Sequence, residues 1–222
     1  THGYIFGGHS GSYGNYAQYT EKFSFTTYAQ SSNIANLSDG VNEAAGHNTE
    51  HHGWKTGGAM GSSPYRSIKA EKISFASDSS WSHTHSLSDL RKAGSGMSSL
   101  TYGYTAGGHV GNPTSVQAVQ EKFSFASNGG SNSVADLSVA RETPSGASSS
   151  THGYTCGGWS TKIDRINFSN DNDGYNQLFF KLMRLDSLNK KFDNLILQVD
   201  YFLFSHNNQF HLNVSKHYHS NS

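Results

Sequence analysis

Histidine is the residue type best placed to do chemistry in this chain of 222 residues, which has 13 of them. His51-His52 and His83-x-His85 have spacings that can chelate a metal, but each occurs once and neither has a carboxylate at ligand spacing. His2, His52 and His152 recur at one motif position, which Tyr102 fills in the third copy. Such recurrence points to structure, with a ring nitrogen bonded to a neighbouring backbone carbonyl. Cys156 is the single cysteine, so no intramolecular disulfide and no cysteine-based metal site can form. It stands where other copies carry Phe6, Thr56 or Ala106, and reads as packing. Glu21-Lys22, Glu71-Lys72 and Glu121-Lys122 suggest acid–base chemistry, yet neighbours on a strand point to opposite faces. They read as solvated strand ends. No catalytic residue, metal ligand or cofactor is therefore expected.

The elements that position these residues follow a strict repeat. Gly7-Gly8, Gly57-Gly58, Gly107-Gly108 and Gly157-Gly158 lie 50 residues apart, each after a His- or Tyr-Gly-aromatic stretch. Periods of this size mark propellers, solenoids or arrays. Within each copy, Glu-Lys-Phe/Ile-Ser-Phe alternates at the period of two expected of a strand, placing Phe23 and Phe25 on one face. Ile34 to Leu37 predicts a further strand, and residues 46–50 another ahead of the next motif. Units run 1–50, 51–100 and 101–150, with a partial unit at 151–169. Asp164-Arg165-Ile166-Asn167-Phe168 resembles the same strand, displaced seven residues earlier relative to its glycine pair.

Composition changes sharply near residue 170. Residues 1–174 hold all 24 glycines and five leucines, whereas 175–222 hold eight leucines and no glycine. The tail 170–222 is read either as a capping segment or as read-through sequence. Leucines at 178, 182, 185 and 188 predict a helix over 176–192, and 194–204 reads as a strand. Asp200 and its short length argue against a membrane span there. A formal net charge of zero gives no long-range attraction to nucleic acid or to an anionic membrane. The chain opens in mid-motif, which reads as a fragment or processed piece, and no compartment is assigned.

The glycine pair closing a strand, the aromatic strand after a variable loop, the Leu-containing strand and the following Arg91 or Arg141 together resemble kelch repeats. The resemblance covers about 1–168 and implies an all-β, kelch-like β-propeller fragment with four-stranded antiparallel blades. Leu37, Leu87 and Leu137 stand where kelch repeats usually carry a Trp. The resemblance also implies a ring of six or seven blades, which further repeats or other copies would have to complete. Galactose oxidase carries kelch-like blades around a copper site, but no motif of that site transfers here residue by residue.

The expected function is non-catalytic recognition of a protein or glycan. In such a blade the loop after the glycine pair and the loop to the next blade emerge on one face. These are 9–20 and 38–47, 59–70 and 88–97, and 109–120 and 138–147. They carry Tyr13, Tyr16, Tyr19, Tyr65, Arg66, Arg91 and Arg141, residue types favoured at binding hot spots. Arg91 and Arg141 also suit a structural role at their kelch-like position. The competing expectation is a structural or adhesive part of a viral or cell-surface appendage, with a galactose-oxidase-like enzyme third.

Overall fold

The computed structural model describes residues 2–9, 11, 15–27, 31–79, 81–110, 115–172, 197–199 and 214–216. The described part is all-β, without a helix. The predicted helix at 176–192 lies outside the described residues, as does Tyr13. Two compact units divide the chain, Thr1–Tyr175 and Asn176–Ser222.

In the larger unit, β1 (His2–Phe6), β2 (Tyr19–Ser24) and β3 (Ser32–Asn36) form a first antiparallel sheet in that order. A short strand β4 (Val41–Asn42) follows. Then come β5 (Ala45–Asn48), β6 (His52–Thr56), β7 (Ala59–Met60), β8 (Ser67–Ser74) and β9 (Ser82–Lys92). Strands β5, β6, β8 and β9 pair antiparallel in that order as a second sheet, while β7 pairs back to β4. The chain continues through β10 (Ser95–Ser98), β11 (Tyr102–Ala106), β12 (His109–Val110), β13 (Ser115–Val116), β14 (Gln120–Ser124), β15 (Gly129–Gly130) and β16 (Asn132–Ser133). The third sheet has the order β10-β11-β14-β16, while β12, itself paired with β13, and β15 extend the second sheet by pairing with β9, β15 in parallel, which makes that sheet seven-stranded. A fourth sheet holds β17 (Pro144–Ser148), β18 (His152–Gly157) and β19 (Ile163–Asn167). In the smaller unit, β20 (Leu197–Val199), inside the predicted strand 194–204, pairs antiparallel with β21 (Val214–Lys216).

The strand ahead of each motif joins the motif's own sheet, so the sheets begin at Ala45, Ser95 and Pro144, several residues before the sequence motif. The segment 88–92, expected as loop, is the end of a continuous strand. Both members of every glycine pair have positive φ, from 62° to 112°. Only glycine adopts such angles freely. The second glycine's N–H then bonds the carbonyl of Val41, Arg91 or Arg141 at 2.7–2.9 Å.

Three kinds of contact recur where successive sheets meet, the third only from the second sheet onward. The first is aromatic. Tyr4 stacks on Phe75, Trp54 on Phe125 and Tyr104 on Phe168, with centroids 4.3–5.0 Å apart. Where the aromatic is tyrosine, its hydroxyl donates to an aspartate one sheet on, Asp78 or Asp171. Lys22 or Lys122 binds the same carboxylate. Where it is Trp54, the corresponding residue is Asn128. Burial and the neighbouring Asp171 raise the Tyr104 hydroxyl above the usual tyrosine range.

The second contact is ionic and corrects the expectation of solvated strand ends. Glu71 and Glu121 are fully buried. Glu121 takes hydrogen bonds from the Ser88 N–H at 2.9 Å and from the Ser88 and Ser131 hydroxyls, and Arg91 pairs with it at 2.7 Å. Burial alone would push its carboxyl up, but Ser131, Ser88 and the Arg91 charge outweigh that and hold it low. Arg141 pairs likewise with Asp164 of the fourth sheet. Between the first two sheets Val41 occupies the arginine position, and the cation comes from elsewhere. Lys55, directly across from Glu71 in the ladder, pairs with it at 3.0 Å. The position of Lys55 is Thr105 and Thr155 in the next sheets. One buried carboxylate thus has one buried cation at each junction, drawn from either of two positions. That pairing is what physics requires, since an unpaired buried charge is costly.

The third contact runs along β5, β10 and β17. A Cβ on Gly96 would lie 2.2 Å from the Gly46 carbonyl oxygen, and one on Gly146 2.1 Å from that of Gly96. Glycine is what lets these backbones touch. The Asn48 N–H donates to Ser98 Oγ and the Ser98 N–H to Ser148 Oγ, at 3.0 and 2.9 Å. His47 Nδ1 donates to the Met97 carbonyl at 3.0 Å, so Nε2 must accept, and the Thr56 hydroxyl lies 2.9 Å away. Burial pushes this imidazole down to about 4, with the Met97 bond opposing.

Candidate functional site

Parts of three of the six loops expected to share a face converge. The loop after the first glycine pair contributes Asn15, Tyr16 and Gln18, and the segment leading to β4 contributes Asp39 and Gly40. The turn after the second pair adds Met60, Gly61 and Ser62. Together they line a polar concavity of about 370 Å³.

Backbone bonds fix this arrangement. Ala17 N–H bonds the Gly8 carbonyl at 2.9 Å, and the N–H groups of Leu37 and Val41 bond the carbonyls of Gln18 and Ala17. Gly40 allows the two loops to touch, because a Cβ there would sit 2.1 Å from the Tyr16 carbonyl oxygen. Lys69 of β8 binds Asp39 at 2.6 Å and the Ser38 hydroxyl at 3.0 Å. That Lys69 hydrogen bond, against the opposing effect of burial, holds the Asp39 carboxyl below its ordinary range. The site therefore presents amide, phenol and hydroxyl groups with a neutralised carboxylate. Such a lining can donate and accept many hydrogen bonds without carrying net charge.

Of the residues expected here, Tyr16 lines the concavity, half-buried, with its ring edge-on to His9 at 5.4 Å. Tyr65, 63% exposed, and the half-buried Arg66 follow the Met60–Ser62 turn that forms one wall. Tyr19 is 55% exposed at the start of β2. Arg91 and Arg141 are corrected. Both are under 3% exposed, and their terminal guanidinium nitrogens pair with Glu121 or Asp164 and with backbone carbonyls at the next glycine pair or strand start. They join sheets and do not face a ligand. Asn15, Gln18, Asp39 and Ser62 were missed, and their place in segments that differ between copies is the signal that could have found them.

His152 bonds the Thr151 hydroxyl at 2.8 Å, in place of the expected backbone carbonyl. His83 Nε2 contacts the His85 carbonyl, and buried His85 turns its Nδ1 to Thr84. Among the described residues, no group of three or more His, Cys, Asp or Glu is placed to hold a metal. Cys156 is a half-buried free thiol on β18, across from Ile163.

No protein-family model matches the chain, and no curated protein matches it.

Proposed function

We propose that the chain is a recognition module without catalytic function, built as a portion of a kelch-like β-propeller, which binds its ligand on the loop face. One observation carries the reading. Three segments from two consecutive repeats, tied by backbone hydrogen bonds, close on one polar concavity. A rigid scaffold under variable loops is the usual arrangement of a binding face. The propeller reading is supported by mainly antiparallel sheets that follow one another along the chain and by the aromatic stack that recurs between each and the next.

The ligand is a glycan or a protein surface, and the lining favours the glycan. Hydroxyl-rich sugars suit a wall of amides and hydroxyls beside a tyrosine ring, and need no net charge. The test is a glycan array and a panel of immobilised proteins probed with the native chain. A specific signal should fall about tenfold on Tyr16→Ala or Gln18→Ala, at unchanged thermal midpoint. Leu100→Ala, in the hairpin between β10 and β11 at the far end of the strands, should leave it unchanged. A signal indifferent to the loop variants would move recognition elsewhere.

A structural or adhesive role is the second reading, favoured by the junction contacts, which any number of like units could extend. Stable multimers formed without ligand would support it.

A further inference from the structure

Two side chains lining the loop-face concavity are fixed through one residue. Ser38 donates its hydroxyl to Asp39 Oδ2 at 3.1 Å, and its carbonyl takes a Gln18 amide N–H at 3.4 Å. Lys69 closes the group, bonding Asp39 Oδ2 at 2.6 Å and the Ser38 hydroxyl at 3.0 Å. Carboxylate and amide therefore stand side by side where Gly40 brings the two loops into contact.

What these bonds leave over decides what binds. The donors to the Asp39 side chain all go to Oδ2, so among the described residues Oδ1 keeps its lone pairs. Gln18 spends one amide N–H on Ser38 and retains the second, together with Oε1. A charged acceptor beside a neutral donor matches two neighbouring hydroxyls of a sugar. One donates to the carboxylate, and the next accepts from the amide. The bond to the carboxylate is the stronger kind, and the pair sets the direction of both hydroxyls. Lys69 is committed to Oδ2, so an acidic sugar would bring its charge against Asp39 without a cation of its own. Such like-charge contact works against binding.

The repeat does not require this pair. The equivalents of Gln18 and Asp39 are Ile68 and Asp89 in the second copy, and Ala118 and Val139 in the third. The backbone bond is kept all the same, since Leu37 N–H bonds the Gln18 carbonyl and Leu137 N–H that of Ala118. Side chains that change on a constant backbone are where a scaffold carries its selectivity.

We infer that Asp39 and Gln18 are the specificity-determining pair of this face, selecting neutral sugars with a free vicinal diol and rejecting acidic ones. The assignment rests on glycan recognition at the loop face and names the glycans that it admits. Tyr16 and Met60 supply apolar surface for the C–H groups of the sugar.

The test is an array of neutral oligosaccharides and their sialylated or uronate counterparts, probed with the native chain. Binding should be confined to neutral members and should disappear after mild periodate, which cleaves vicinal diols. Asp39→Asn keeps the shape of the side chain and removes its charge. Affinity should drop about tenfold or more, and the gap between neutral and acidic members should narrow. The midpoint should stay close to native, because the Asp39–Lys69 pair is 31% and 36% exposed. Gln18→Ile, the residue of the second copy, leaves that pair in place and should weaken binding alike. No glycan bound, or binding that Tyr16→Ala leaves unchanged, would sink the loop-face reading and this assignment together. Binding that Tyr16→Ala weakens but Asp39→Asn or Gln18→Ile does not, survival after periodate, or equal binding of acidic members would overturn the assignment alone.

Discussion

Replacing Arg91 by Val makes the third sheet's junction resemble the first, where Val41 already occupies that position. The substitution leaves Glu121 fully buried without its cation and takes donors from the carbonyls of Gly107 and Val119. Removing one partner of a buried ion pair costs about 3–5 kcal/mol. For a unit of this size that lowers the midpoint by roughly 10 °C. The Val41 junction also shows how to restore the balance. Thr105→Lys puts an ammonium directly across the ladder from Glu121, as Lys55 stands across from Glu71. It also breaks the Thr105–Thr56 hydroxyl contact of 2.8 Å, a loss of about 1 kcal/mol. Arg91→Val/Thr105→Lys should therefore recover about half or more of what Arg91→Val loses. Urea unfolding followed by circular dichroism measures all three proteins, and Glu121→Gln completes a double-mutant cycle. Arg91→Val within about 1 kcal/mol of native, or no gain from Thr105→Lys, would refute the interchange of cation positions.

Acid should act through His47 before it reaches the carboxylates. Its folded pKa of about 4 lies below the ordinary 6.5, so its contribution is complete above 6.5 and is lost as pH falls towards 4. At pH 5 the loss is about 2 kcal/mol, and His47→Met, the residue at the next sheet's equivalent position, should remove that part of the slope in urea titrations at pH 5 and 7. Glu121, held low in the fold, loses its contribution only below its unfolded value near 4.5, so the two windows separate. Gly96→Ala should cost about 2–3 kcal/mol in the same assay, since its Cβ meets backbone on a strand that cannot retreat. Gly46→Ala should stay within about 0.5 kcal/mol.

Much of the fold was legible because the repeat keeps its glycine pairs and alternating strands in step. Positive φ at each pair, and strands at Tyr19–Ser24, Ser67–Ser74 and Gln120–Ser124, follow from those residues. The chemistry joining the sheets was hidden for a physical reason. A buried carboxylate needs a nearby cation but not one from a fixed position, so Lys55 replaces an arginine that Val41 lacks. Read one copy at a time, Glu71 looks like half of a charged surface pair and Arg91 like a loop residue available to ligand. Read across copies, the arginine disappears where a lysine arrives. His47 left no periodic trace, because Met97 and Ala147 fill its position in the next copies. The concavity was legible only as converging loops. Which polar groups line it depends on backbone bonds such as Leu37 to Gln18, which the sequence pattern does not specify.

The most direct test of recognition on the loop face is an amide-exchange footprint of the full chain with a glycan or protein that it binds. Protection should gather in residues 15–18, 38–41 and 59–62, which surround the concavity. Protection confined to the opposite hairpins at 49–51, 99–101 and 149–151, with those loops unchanged, would contradict it.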